Sequence, residues 1–174
     1  MKKRIIALSI LLVLLLSYTV YAANEWDTFV SKDEMEGTET WYATSPEVTT
    51  TEKMDFPYTG TKASLIVGYD GEDEWGYVAF SNAPNLSDTE TEDGYNVIYT
   101  RVKFDDKIKN TTLTQDWGSK FLNFRNDKGI ISKIKSSNTL LLELNWHGEG
   151  EVYFRFPLDG SADAINKIHD KFNN

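Results

Sequence analysis

Residues 140–156 read LLLELNWHGEGEVYFRF, two alternating runs around a glycine-rich middle. In an extended chain Leu140, Leu142, Leu144 and Trp146 leave one face, and Leu141, Glu143 and Asn145 leave the other. Val152, Phe154 and Phe156 alternate in the same way with Tyr153 and Arg155. A period of two marks a half-buried strand. His147-Gly148-Glu149-Gly150 supplies the turn chemistry between the runs. The segment therefore reads as an antiparallel hairpin with one apolar face.

The same period recurs upstream. Tyr95 to Phe104 places Ile98, Thr100, Val102 and Phe104 on one face, and Tyr95, Val97, Tyr99, Arg101 and Lys103 on the other. Ala63 to Tyr69 (ASLIVGY) and Trp75 to Ser81 (WGYVAFS) flank the acidic turn Asp70 to Glu74, which predicts a second hairpin. Glu39 to Thr44 and Lys120 to Phe124 add two more strand-like runs. Lys32 to Glu39, Ser45 to Lys53, Asp70 to Glu74 and Ser87 to Asp93 are acidic or polar and read as loops. No linker, repeat or long low-complexity tract divides the chain.

Two segments carry a helical period. Gly129 to Ser136 sets Ile130, Ile131 and Ile134 at helical spacing, although a strand fits nearly as well. Ser161 to Phe172 gathers Ala162, Ile165, Ile168, His169 and Phe172 on one face, with Asp159 or Ser161 as candidate caps and Asp163 in the first turn. The sum is a mainly β chain: an antiparallel β-sandwich of about seven or eight strands with a short C-terminal helix over an edge or one end.

The beginning of the chain follows a different logic. Lys2, Lys3 and Arg4 precede an apolar run from Ile5 to Leu16, broken only by Ser9, and Val20-Tyr21-Ala22 ends on a small residue. Charge, apolar core and small-residue cut site in that order form a secretory signal. Residues 1–22 read as a bacterial-type signal peptide, cut after Ala22 or Ala23, and residues 23–174 as a single exported domain. An uncleaved anchor is the alternative, since about 1.5 Å per residue lets residues 5–23 span a membrane. Either way the remainder lies outside the cytoplasm, periplasmic or secreted, with no membrane insertion of the mature domain.

Residues 1–22 hold three basic and no acidic side chains, so their loss takes the net charge from −9 to −12. That charge repels phosphate backbones and argues against nucleic acid as a partner. The chain has no Cys, so it has neither a disulfide nor a lipid-bearing cysteine. Its two His, His147 and His169, are too few and too far apart in sequence for a zinc site. Asp88, Glu90, Glu92, Asp93 and Gly94 resemble a calcium loop in their first positions, but the glycine comes one position late and position 12 is Tyr99. No metal and no cofactor is expected.

Catalytic patterns are equally thin. Ser132-Lys133-Ile134-Lys135 fits the Ser-x-x-Lys spacing that sets an amine beside a nucleophile, but the companion motifs Ser-Asp-Asn and Lys-Thr-Gly are absent. Glu143 and Glu149 flank Trp146 and would serve a glycosidase only across a shared cleft. Asn85 and Asn110 fit the glycan-acceptor rule and read as ordinary polar positions. No catalytic residue is assigned.

The order of strand-like segments resembles the type VI secretion-associated accessory family called TagO or VasI. The resemblance covers most of the mature chain. It rests on Trp26, on Leu65-Ile66-Val67-Gly68-Tyr69 before an acidic turn, on Tyr99-Thr100-Arg101-Val102-Lys103-Phe104-Asp105, on Trp117-Gly118-Ser119, and on Phe156-Pro157-Leu158-Asp159-Gly160 before a short helix with Ala164. The family carries cysteines where this chain has Tyr69 and Asn173-Asn174. The resemblance implies an exported β-rich accessory protein and supplies no catalytic residues.

The expectation is a non-catalytic binding or accessory domain of the bacterial envelope, with a protein or glycan partner there or outside the cell. Tyr95, Tyr99 and Arg101 are the contact candidates, because aromatics and Arg dominate interface energetics. The alternatives are a carboxylate-based hydrolase of envelope polymers and a structural assembly subunit. The hydrolase requires a deep cleft with two acids, and the subunit an unpaired edge strand or a large apolar patch.

Overall fold

The structure, a computed structural model, describes residues 25–173. The expected signal peptide lies outside the described residues. The chain is mostly antiparallel β. Its strands are β1 (Asp27–Lys32), β2 (Glu39–Thr44), β3 (Val48–Thr49), β4 (Lys62–Tyr69), β5 (Glu74–Phe80), β6 (Thr89–Glu92), β7 (Tyr95–Phe104), β8 (Lys107–Gln115) and β9 (Phe121–Phe124). Helix α1 (Asp127–Ile134) follows, then β10 (Thr139–Trp146), β11 (Gly150–Pro157) and helix α2 (Ser161–His169). The strands join in one sheet ordered β1-β2-β4-β5-β9-β8-β7-β10-β11, with β3 added to β4 and β6 to β7.

The β10–β11 hairpin has the expected register, Trp146 opposite Gly150 and Leu142 opposite Phe154. Leu140, Leu142, Leu144, Trp146, Phe154 and Phe156 are all fully buried. In the β4–β5 hairpin Tyr69 pairs with Glu74. There the amides of Asp73 and Glu72 donate to the Asp70 carboxyl and hold it below the usual carboxylate range.

Phe80 on β5 and Phe154 on β11 stand five strand steps apart along the sheet. A flat sheet would separate them by about 24 Å at 4.8 Å per step. Their ring centroids are 5.3 Å apart, so the sheet folds over and its two halves face each other across one core. A bridge from Thr50 to Phe154 and a bond from Thr51 N to Tyr153 O (2.8 Å) tie the region after β3 to β11. The result is sandwich-like rather than a closed barrel.

Eleven strands are found among the described residues where about seven or eight were expected. The additions are short or polar. β8 reads KIKNTTLTQ and buries only Leu113 and Gln115, so its sequence has no apolar stripe to find. β6 lies inside the acidic run expected as a loop. It turns into β7 through Asp93 (φ 52°) and Gly94 (φ 88°), a two-residue turn whose positive φ values suit strand twist.

The helices sit at one end of the core. α1 buries Ile130, Ile131 and Ile134, and its N-cap Asn126 accepts from Gly129 N at 3.1 Å. α2 buries Ala164, Ile165 and Ile168. Its N-cap is Gly160 (φ 81°), without a side-chain bond, rather than Asp159 or Ser161. Ser161 Oγ instead donates to Ile134 O (2.8 Å), which joins the two helices.

Candidate functional site

Tyr95, Tyr99 and Arg101 all leave the outer face of β7. Tyr95 is 44% exposed and Tyr99 58% exposed. Val97, between them in sequence and on the same face by period, is fully buried. Arg125 just past β9 and Glu92 on β6 form an ion pair of 2.7 Å. β8 and β7 lie between those two positions, so the pair crosses the outer face where Val97 sits.

That strap divides the three residues. Tyr99 and Arg101 line one open depression of about 450 Å³ with Thr100, Asn110, Thr112 and Glu143. Tyr95 stands outside it, at the turn end of β7. Cross-strand register builds the depression: Tyr99 opposes Thr112, and Arg101 opposes Asn110. On the other side Lys103 opposes Leu141, so the next outward pair is Arg101 with Glu143. Tyr153 opposes Glu143 on β11.

Arg101 and Glu143 meet through two bonds, Nε to Oε1 at 2.8 Å and Nη2 to Oε2 at 2.5 Å. Glu143 thereby raises the affinity of the guanidinium for its proton. The fork fixes the direction of Arg101 and leaves half of its side chain exposed. Thr100 Oγ1 donates to Glu143 O at 2.6 Å and locks the strand pair beneath. Tyr153 donates to Glu151 at 2.8 Å, and that bond pushes its hydroxyl up to about 12.

Glu143 and Glu149 do not share a cleft. Glu143 is held by Arg101, while Glu149 accepts from Asp55 N at 3.1 Å. Trp146 between them points into the core and is fully buried. The two His are also apart. His147 sits in the β10–β11 turn, whereas His169 on α2 stacks on Tyr69 (4.0 Å, 5°) and meets Glu74 at 2.6 Å. In the acidic run, Asp88 is engaged by Asn145 (2.6 Å) and Glu92 by Arg125. Among the described residues no group of three or more His, Cys, Asp or Glu is disposed to hold a metal ion. Nor is any helix long and apolar enough to cross a membrane.

Sequence reasoning missed a second outward feature. Register aligns Phe29, Tyr42, Gly68 and Trp75 in one row across β1, β2, β4 and β5. Phe29 stacks on Tyr42 (4.9 Å, 15°), and Tyr42 meets Trp75 edge-on at 6.2 Å. Gly68 makes the row possible: a Cβ there would lie 2.6 Å from the Trp75 ring. Tyr77 and Phe121 continue the aromatic surface at 5.6 Å, and burial pushes the Tyr77 hydroxyl up to about 12. The structure pairs Gly68 with Trp75 because Glu74 already belongs to β5; a turn over Asp70–Glu74 would set Gly68 against Gly76, so the sequence carried no direct signal for the row.

No family model matches the chain, and no curated protein does. Among solved structures the chain is similar in fold to the crystal structure of invasion associated protein B from Bartonella henselae, at 11% identity and a TM-score of 0.55, over 88% of this chain and 98% of that one.

Proposed function

We propose that the chain is a non-catalytic, exported binding or accessory domain of the bacterial envelope that takes a protein or glycan partner on the outer face of β7, β8 and β10. One observation carries this reading. Tyr99 and Arg101, an aromatic and a guanidinium, share an open depression, and Glu143 holds the guanidinium in place. A pre-oriented Arg beside an exposed aromatic loses little rotamer freedom on binding, which is how interface hot spots gain affinity. The leader-like residues 1–22 and the resemblance to secretion-associated accessory proteins support the envelope setting.

The test uses the exported chain immobilised on a sensor, with protein and polysaccharide fractions of an envelope extract passed over it separately. One fraction should bind. Tyr99→Ala with Arg101→Ala should lower the signal at least about tenfold, as loss of hot-spot contacts does. Tyr95→Ala should leave it unchanged, because Tyr95 lies beyond the Arg125–Glu92 strap. Binding that the double variant leaves intact counts against this face.

A further inference from the structure

The outer face of β2, β4, β5 and β9 stands apart from the rest of the chain in charge. From Thr40 to Thr44 on β2, Ser64 to Gly68 on β4, Trp75 to Ala79 on β5 and Phe121 to Asn123 on β9, every second residue counted from the first points outward. None of these outward residues is charged, although 26% of the chain is. Where the face is not aromatic it is mainly Thr, Ser and Asn. Charges stand at its rim and are engaged there: Lys62 pairs with Glu47 at 2.8 Å, Arg125 pairs with Glu92 at 2.7 Å, and Asp27 accepts from Thr28 N at 2.7 Å.

The indole of Trp75 lies flat on this face. A Cβ built on Gly68 would stand 2.6, 2.7 and 2.8 Å from its Cε2, Cζ2 and Nε1 atoms. Three ring atoms at nearly one height mean that the ring lies broadside over Gly68, one face on the backbone and the other turned out. Tyr42 stands beside it at 81°, and Phe29 stacks behind Tyr42. The indole is thus a floor and the two upright rings a wall. Tyr77 and Phe121 form a second perpendicular pair at 89°, one outward position further along β5. The layer is continuous between the two pairs. Ile66 points outward and opposes Tyr77, yet it is buried and lies outside the inner core cluster. Tyr42 is close enough to Tyr77 for its phenol to act on that of Tyr77.

We propose that this face binds a neutral polysaccharide chain, with one pyranose ring stacked on Trp75 against the Tyr42 wall. The face of an aromatic ring is electron-rich. The C–H groups on one side of a pyranose form an apolar, weakly positive plane of matching size. The ring hydroxyls then reach the Thr, Ser and Asn groups around the aromatics. An acidic polymer is disfavoured twice: the outward residues include no cation, and the chain beyond residue 22 carries 15 basic against 27 acidic side chains, a net −12. A protein partner is disfavoured by shape, since protein anchors are held in pockets and a broadside indole is a plane. This surface lies on other strands than the Tyr99–Arg101 depression, so either can fail without the other.

Calorimetric titration of the full chain, purified after export, with cello-, laminari-, malto- and chitohexaose tests the proposal. At least one should bind with a dissociation constant of about 1 mM or tighter, and polygalacturonate, an acidic polymer, should not bind. Trp75→Ala should weaken binding at least about tenfold, the worth of one stacked ring. Gly68→Ala should do the same with every aromatic retained, because its methyl group lifts the indole off the sheet. Phe121→Ala, at an exposed position, should weaken binding at least about threefold with an unchanged urea midpoint, an effect that a merely fold-stabilising ring would not give. Failure of all four hexasaccharides overturns the proposal, as does equal binding of polygalacturonate or binding untouched by Trp75→Ala and Phe121→Ala. Binding that Tyr99→Ala with Arg101→Ala removes and Trp75→Ala keeps places the sugar in the other depression and overturns it too. If no sugar binds and Trp75→Ala instead loses the signal from an envelope protein fraction, the face belongs to a protein partner.

Discussion

Asp127 shows how one side chain can hold a preference that the sequence does not display. It sits in the first turn of α1, where a carboxylate suits the helix dipole, and it accepts from Gly76 N at 2.8 Å. Burial nonetheless raises its carboxyl above the usual range; the Gly76 bond pulls the other way, and Glu74 nearby adds to the rise. A carboxyl raised in the folded state favours folding fully below its unfolded value, and that contribution is lost as pH climbs through the folded value. Once ionised, Asp127 therefore carries its charge in a place that disfavours it. Asp127→Asn keeps an acceptor for Gly76 and removes the charge. It should raise the urea midpoint at pH 7, and the gain should shrink as pH falls through the raised folded value, to be gone below about 3.9, the ordinary Asp range. A gain that persists in acid would show a cause other than ionisation.

At the scale of elements, a strong period carried most of the information. β7, β10 and β11 were legible because their apolar residues recur every second position and one face of each is dry. β8 was not, because β7 and β9 hold it in the sheet mainly through backbone bonds, and those leave no trace in residue type. The site divided in the same way. The outward direction of Tyr99 and Arg101 followed from alternation, but the Glu143 partner needed the β7–β10 pairing, and the strap that isolates Tyr95 needed a contact between β6 and the chain past β9. The C-terminal helix was legible from its apolar face, yet what secures its end was not. Phe172 meets Tyr69 edge-on at 5.2 Å, and Lys171 lies 4.7 Å over the Trp41 ring. Phe172→Ala should cost about 1–2 kcal/mol through lost area and the ring contact. The loss should be local: amide exchange at Ile165 and Ile168 should speed up, while β10 keeps its protection. Equal acceleration in both elements would mean that α2 is not a separable cap.

The whole molecule depends on the sheet turning back on itself. Core residues from β4 and β5, such as Leu65, Val78 and Phe80, belong to the same buried cluster as Leu142, Trp146 and Phe154 from β10 and β11. Neither half can bury its inner face without the other, so the described residues should unfold as one unit. Phe154 is a sensitive point, because it contacts Phe80 and Trp146 and its strand also meets Thr50. Phe154→Ala should lower stability by about 3–5 kcal/mol, the cost of truncating a buried aromatic. The effect should appear as one shifted transition in urea, with tryptophan fluorescence, which reports on Trp146 in one half and Trp75 in the other, coinciding with far-ultraviolet circular dichroism. If the two halves were held mainly by their own hairpins, the two probes would separate in the variant, and a plateau would mark a surviving β4–β5 half. Coincident curves would instead mean that the contact between Phe80 and Phe154 is part of what makes each half stable.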